Sequence, residues 1–285
     1  MKRRTFVKGT LALTALSTAP WRLRAAENGQ KPVIALFGAT ARSGREIIRQ
    51  ALQRGHTIKG FARTPSKLGV EHENLTLFKG DIYERDTIDP VLEGHEVVVS
   101  MIGVPAPEDP AAEIGPVDIY TVMGEHLISA MQEKGNTRLI MASSTGVEHR
   151  MDVNATRPPP GDLSERWKWL ARHLYDDMWK MEEMIANSGL DYMLLRPGFM
   201  VEEPARHDMK FNTTGDTPGA RVITYEDFAT FILDNLDGGE YWNMALGMYS
   251  DTIMDPAAEI EKHLARQKAE QEAAQAKGGN NEIDD

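Results

Sequence analysis

The sequence predicts an α/β fold: a doubly wound parallel sheet in one domain, with a small C-terminal elaboration. Three observations carry this. Short apolar runs (33–37, 57–62, 75–78, 96–100, 138–142 and 191–196) alternate with stretches of helical spacing over most of the 285 residues. One of them, Glu96-Val-Val-Val-Ser100, shows no alternation, as expected of a parallel strand covered on both faces. The first run stops at a glycine, and a second glycine six residues later leads into a helical pattern.

That first unit runs Val33 to Phe37, then Gly38-Ala-Thr40-Ala41-Arg42-Ser43-Gly44, then the helical stretch Arg45 to Leu52. Gly38 lets the chain leave the strand sharply, and Gly44 lets the helix pack close to the sheet. Free amides at the helix start turn partial positive charge toward an anion, so strand, glycine turn and helix make half of a dinucleotide-binding βαβ unit. Ala41 stands where the usual fingerprint has its middle glycine, and its Cβ is expected to restrict the turn. A glycine turn with no nucleotide is the alternative.

The next strand, Thr57 to Ala62, ends in Arg63-Thr-Pro-Ser-Lys67. This lies about 20 residues on, where an acidic residue would read a ribose 2′-hydroxyl. Here the position is basic, with Lys67 and Arg42 nearby in the scheme. A guanidinium suits a 2′-phosphate, which favours NADP over NAD; a solvated surface arginine is the alternative. A third strand, Leu75 to Phe78, leads to Gly80-Asp81-Ile82. Asp81 could accept from an adenine amino group, or cap the helix expected from about Arg85 to Leu92.

Taken with Leu195-Arg-Pro-Gly198 further on, Gly-Ala-Thr-x-Arg-x-Gly, Ala-Arg-x-Pro-x-Lys-Leu and Gly-Asp-Ile resemble the atypical short-chain dehydrogenase/reductase group. These are NAD(P)H-binding proteins similar to NmrA and to biliverdin reductase B. The resemblance covers about residues 32–246. It implies a Rossmann-like domain that binds NAD(P). It also places Ile102 and Gly103, after the 96–100 strand, against the cofactor, and Pro197-Gly198 against its nicotinamide end.

The remaining elements follow in order. Residues 104–117 hold four prolines and read as a loop at a strand C-terminus, which borders the ligand in a parallel sheet. A helix is expected over Ile119 to Glu133, with Val122, His126, Ile128, Ser129 and Met131 toward the sheet. The strand Arg138 to Ala142 leads to Ser143-Ser144-Thr-Gly146, where the resemblance places the catalytic serine and, at Ser143, cofactor contact. Ser144 could hydrogen-bond a substrate carbonyl or merely cap the turn.

Short-chain dehydrogenases use a Tyr with a Lys four residues later, so that one helical turn brings the ammonium to the phenol. The long helix expected over Leu163 to Ser188 carries Tyr175 and Lys180, five apart. Five residues turn a helix through about 140°. The two therefore flank the stripe Leu174, Met178, Met181, Ile185 on opposite sides. Lys180 could still reach the nicotinamide ribose, or pair on the surface with Asp176 or Glu183. Tyr175 reads as structural. Trp167, Trp169 and Trp179 could wall a pocket or fill the core. Residues 201–220 read as a loop-rich lid. Thr224 should cap a helix over Tyr225 to Asn235, and a strand over Tyr241 to Leu246 should close the sheet.

The ends have different characters. Residues 1–26 carry Lys2, Arg3, Arg4, Lys8, Arg22 and Arg24 and no acid, around the mildly apolar run Gly9 to Ala19. Adjacent arginines followed by Phe6 and Val7 resemble a twin-arginine export signal, read by the machinery that exports folded proteins. The run is too short to span a bilayer. The expectation is a periplasmic protein exported with its nucleotide bound, unanchored unless the signal stays uncleaved. From Ala257 the chain is charged and poor in large apolar residues, so it reads as a helical or disordered tail.

The net charge of −11 gives no indication of a nucleic-acid surface. The absence of cysteine excludes a thiolate nucleophile and disulfides, and the eight histidines show no metal spacing. The partners expected are a small-molecule substrate and the export machinery. Three functions remain open: an NADPH-dependent reductase, a non-catalytic nucleotide-binding module, and a sugar-nucleotide epimerase-like enzyme.

Overall fold

The computed structural model describes residues 31–104, 112–158, 163–214 and 221–253, together with residues 255 and 265. The expected export signal (1–26) and nearly all of the charged tail (257–285) lie outside the described residues. In order come β1 (Ile34–Phe37), α1 (Arg42–Gln53), β2 (Ile58–Ala62), β3 (Leu75–Lys79), β4 (Val97–Ser100), α2 (Ile119–Lys134) and β5 (Arg138–Ala142). Then follow α3 (Leu163–Leu170), α4 (Arg172–Ala186), β6 (Asp191–Pro197), β7 (Phe199–Val201), β8 (Lys210–Asn212), β9 (Val222–Thr224), α5 (Tyr225–Asp234) and β10 (Met244–Tyr249).

The main sheet has the order β3-β2-β1-β4-β5-β6-β10-β8, and every pairing is parallel except β10 with β8. This is a Rossmann-like doubly wound sheet. The strand order reverses between β1 and β4, so the crevice beyond their C-terminal ends is the ligand position of the fold. β7 and β9 form a separate parallel pair.

The two-residue period of a strand divides the core into two layers. Ile34, Leu36, Val97, Val99, Ile140, Met193 and Leu195 point to one face and pack with Ile47 and Ile48 of α1 and Phe228 and Ile232 of α5. Ala35, Phe37, Val98, Leu139, Met141 and Leu194 point to the other and meet α2 and α4. β1, β4 and the first four residues of β5 are fully enclosed, as their apolar runs require. Burying each Ile or Leu side chain contributes about 1.5–3 kcal/mol.

Several expected elements shift. The α2 face toward the core is Tyr120, Met123, Leu127, Ala130 and Met131, not the one set by Val122, His126, Ile128 and Ser129. Apolar residues surround this helix, because it packs on α4 as well as on the sheet, so periodicity could not choose the face. The expected long helix breaks at Ala171 (φ −100°, ψ 14°) into α3 and α4. There the buried Arg172 side chain donates to the Trp169 carbonyl, competing with the helix's own ladder. The helix expected from Arg85 to Leu92 is a 3-10 turn of three residues, Arg85–Thr87. The closing strand starts at Met244, and the expected lid contributes β8 to the sheet edge. Thr224 caps α5 as expected, its hydroxyl accepting from the Asp227 amide.

Candidate functional site

The glycine turn is shaped by backbone contact. Gly38 has φ +84°, and a Cβ on it would lie 2.8 Å from the Met101 carbonyl carbon and 3.0 Å from the Ile102 amide. A Cβ on Gly44 would lie 2.2 Å from the Gly38 oxygen. Both positions need glycine because backbone occupies the space of any side chain. Ala41 is the N-cap of α1 at φ −66° and ψ 158°, ordinary extended backbone, so the missing middle glycine imposes no strain. No side chain caps the helix and no acid sits in its first turn, so the amides of Arg42, Ser43 and Gly44 have no capping partner. This is the cradle that a pyrophosphate fits.

The second turn lies beside it. Arg42 and Arg63 are exposed, and neither makes an ion pair or side-chain hydrogen bond among the described residues. Arg45, at the start of α1, donates from Nε to the Thr40 carbonyl (3.2 Å), from Nη1 to the Leu68 carbonyl (3.0 Å) and from Nη2 to the Lys67 carbonyl. Asp81 follows β3 and folds its own turn, Oδ1 accepting from the Tyr83 amide at 3.1 Å. It does not cap the 3-10 turn, whose N-cap is Glu84. Ile82 is buried, and its carbonyl lies 2.7 Å from Nδ1 of His126.

After β4, the Met101 amide donates to Phe37, which brings Ile102 and Gly103 alongside the glycine turn. A Cβ on Gly103 would lie 3.0 Å from the Tyr120 hydroxyl. Burial raises the Tyr120 phenol above its ordinary pKa. Tyr83 donates to Asp118 at 2.8 Å, and burial with that carboxylate pushes its phenol up to about 12.

Beyond β5 and β6 the site is made of side chains. Ser144 Oγ accepts from the Gly146 amide at 3.2 Å, so it caps its own turn. The Tyr175 ring lies flat under that turn: a Cβ on Gly146 would fall 2.1 Å from its Cζ. Tyr175 accepts from the Trp167 indole N–H at 3.1 Å. Burial raises its phenol, against hydrogen bonds from Trp167 and Ser144. Lys180 Nζ instead pairs with Asp176 at 2.8 Å on the outer face of α4, and its side chain is 54% exposed.

Arg196 lies close by. It meets Glu182 with Nε (3.0 Å to Oε1) and Nη2, and Glu148 with Nη1. Burial pushes the Glu182 carboxyl up, to about 7, against the lowering effect of the Ser143 hydroxyl and the Arg150 charge. Ser143 is buried with its hydroxyl turned toward Glu182, but makes no well-formed hydrogen bond. Gly198 donates its amide to Met248 (2.8 Å), and Pro197 pairs with Met248 in the sheet.

Comparison with known proteins places this geometry. The NAD(P)H-binding family profile matches residues 38–238. The chain belongs to the NAD(P)H-binding family. It is 22% identical over 223 residues to the uncharacterized protein YwnB of Bacillus subtilis, covering 76% of this chain and 98% of YwnB. Among solved structures it is similar to ChuY, an anaerobillin reductase from Escherichia coli O157:H7. The TM-score is 0.61 at 18% identity, over 79% of this chain and all of ChuY (100%). It is also similar to a short-chain dehydrogenase/reductase from Veillonella parvula in complex with NADP. There the TM-score is 0.58 at 16% identity, over 77% and 95% of the two chains. At such identities the structures share the fold.

Against that family background the expected residues divide. Gly38, Thr40, Ala41, Arg42, Ser43, Gly44, Ile102 and Gly103 come together at the crevice between β1 and β4; Arg63, Asp81 and Ile82 line the turns beside it. Ser143, Ser144 and Tyr175 also meet, but the phenol is buried. Lys180 does not join them: its ammonium is held on the far face by Asp176, so it is removed from the site. Sequence reasoning missed Arg45, Glu148 and Glu182. Arg196 had a signal, a charge at the end of the apolar run Met193 to Leu195. Its partners lie 14 and 48 residues away and had none.

Proposed function

We propose that this protein binds NADP(H) in preference to NAD(H) and acts as an NADPH-dependent reductase of a small acceptor. The observation that supports this most is the pair Arg42 and Arg63, exposed and without partners among the described residues, beside an uncapped helix start. On a chain of net charge −11 a local basic patch needs a local reason, and a 2′-phosphate supplies one. The amides of 42–44 would hold the pyrophosphate, Asp81 the adenine side, and the segments 101–103 and 197–198 the nicotinamide side. Bound NADPH supplies the hydride. The residues at the ends of β5 and β6 orient the acceptor and exclude water. The Tyr/Lys machinery of short-chain dehydrogenases has no part, since Tyr175 is enclosed and Lys180 diverted. That same observation favours a second reading, a nucleotide-binding module without turnover, over an epimerase.

The basic N-terminus adds a location. NADP is made in the cytoplasm, and the twin-arginine route carries folded proteins, so we propose export to the periplasm with the nucleotide already bound. The test is to release the protein from the periplasm, identify the co-purified nucleotide by mass spectrometry, and assay NADPH oxidation with a panel of quinones, flavins and enals. Bound NADP(H) with turnover supports the reductase. Bound NADP(H) with no turnover across the panel favours the module. A protein found only in the cytoplasm defeats the export reading.

A further inference from the structure

We infer that Arg45 is a positioning residue for nucleotide choice: it ties the turn after β2 to the glycine turn, and so sets the site for a 2′-phosphate that it does not itself touch. This rests on the NADP reading above. Arg45 is the first residue after Gly44, in the opening turn of α1. Its three bonds go to carbonyls on two separate loops, Thr40 in the glycine turn and Lys67 and Leu68 at the end of the segment that starts with Arg63. The planar guanidinium presents five N–H donors in a fixed fork, so one side chain can hold both loops at a set spacing; an ammonium cannot reproduce that fork.

Two consequences follow for the site. The spacing between the amides that would hold the pyrophosphate and the Arg63 guanidinium is set by Arg45, because both loops hang on the same group. In addition, no carboxylate pairs with Arg45 among the described residues. Its charge therefore adds to those of Arg42, Arg63 and Lys67, and strengthens the field for an anion. The fold does not depend on Arg45. The segment keeps its own turn, with the Lys67 amide donating to Thr64 and the Leu68 amide to Pro65, and Leu68 stays buried in the core. Loss of Arg45 loosens the placement of the loop and leaves the sheet intact.

The test titrates the purified full chain with NADPH, NADH and 2′,5′-ADP, as the natural protein, Arg45→Ala and Arg45→Lys. Arg45→Ala should lower affinity for NADPH and 2′,5′-ADP about tenfold. NADH affinity should change less than threefold and the melting temperature little. Arg45→Lys keeps the charge without the fork and should fall between. Hydrogen exchange at the Lys67 and Leu68 amides should speed up in both variants. If Arg45→Ala keeps the natural NADPH-over-NADH ratio, or loses both nucleotides equally, the inference is overturned while the NADP reading stands. If the natural chain binds NADPH and NADH equally, the NADP reading falls and this inference with it.

Discussion

The two halves of the crevice are built from different material. On the nucleotide side, after β1, β2 and β4, the surface apart from the exposed Arg42 and Arg63 is backbone: glycines pressed on carbonyls, uncapped amides, and loops that Arg45 holds by their carbonyl oxygens. On the other side, after β5 and β6, it is side chain: Tyr175 under Trp167, and Arg196 between Glu148 and Glu182. A backbone cradle admits one ligand shape and tolerates little change. A wall of side chains can be exchanged residue by residue.

Breaking the side-chain half should have the largest effect. Arg196→Met leaves Glu182 and Glu148 without their cation, and removing one partner of a buried ion pair destabilises by about 3–5 kcal/mol. Urea denaturation checks this, and adding Glu182→Leu to Arg196→Met should recover part of the loss. NADPH affinity at a temperature where the variant stays folded should change little, since no phosphate contact is altered.

A pH effect comes next, at the other end of β4. His95 is enclosed, with Nδ1 2.6 Å from the Leu92 carbonyl, and burial lowers it to about 4. A base whose folded pKa is depressed stays neutral in the fold while the unfolded chain takes up a proton below about 6.5. His95 should therefore contribute a loss of stability as pH drops from about 6.5 toward 4, on the order of 3 kcal/mol, which Glu182 opposes by taking up a proton in the fold from about pH 7 downward. Denaturation of the natural chain and of His95→Gln at several pH values isolates this contribution as the difference between the two slopes, about one proton.

On the nucleotide side, Gly44→Ala places a Cβ 2.2 Å from a backbone oxygen that has no rotamer to yield. The cost should be about 1–3 kcal/mol in stability, with loss of measurable NADPH binding by titration. An unchanged affinity would show that the turn relaxes and that the comparison between a rigid and an exchangeable half is wrong. The smallest effect belongs to Lys180→Ala. Its exposed pair with Asp176 contributes less than about 1 kcal/mol. Cofactor affinity and turnover should both be unchanged; a tenfold loss of turnover would return Lys180 to the site.

How legible each half was follows from this difference. Gly38 and Gly44 could be read in the sequence because each answers a local demand: a turn at a strand end and a close approach of backbone. The five-residue spacing of Tyr175 and Lys180 was enough to separate them, since helix geometry is also local. Reading failed where two surfaces competed for one helix. α2 packs on both the sheet and α4, so its apolar residues run around it and the buried face had to be chosen by packing. It failed again at Ala171, where the Arg172 side chain interrupts a pattern that otherwise reads as one helix.

By itself the sequence determined the alternating strands and helices, the layered parallel sheet and the glycine turn. These depend on residues a few places apart, through backbone freedom and the two periods of side-chain direction. Only the tertiary structure decided that Arg45 would hold two loops, that Arg196 would meet Glu148 and Glu182, and that Asp177 would take the Tyr120 amide at the start of α2 at 2.9 Å. Those partners are brought together by the crossovers of the sheet, and a side chain's hydrogen-bonding capacity does not specify which distant residue will satisfy it.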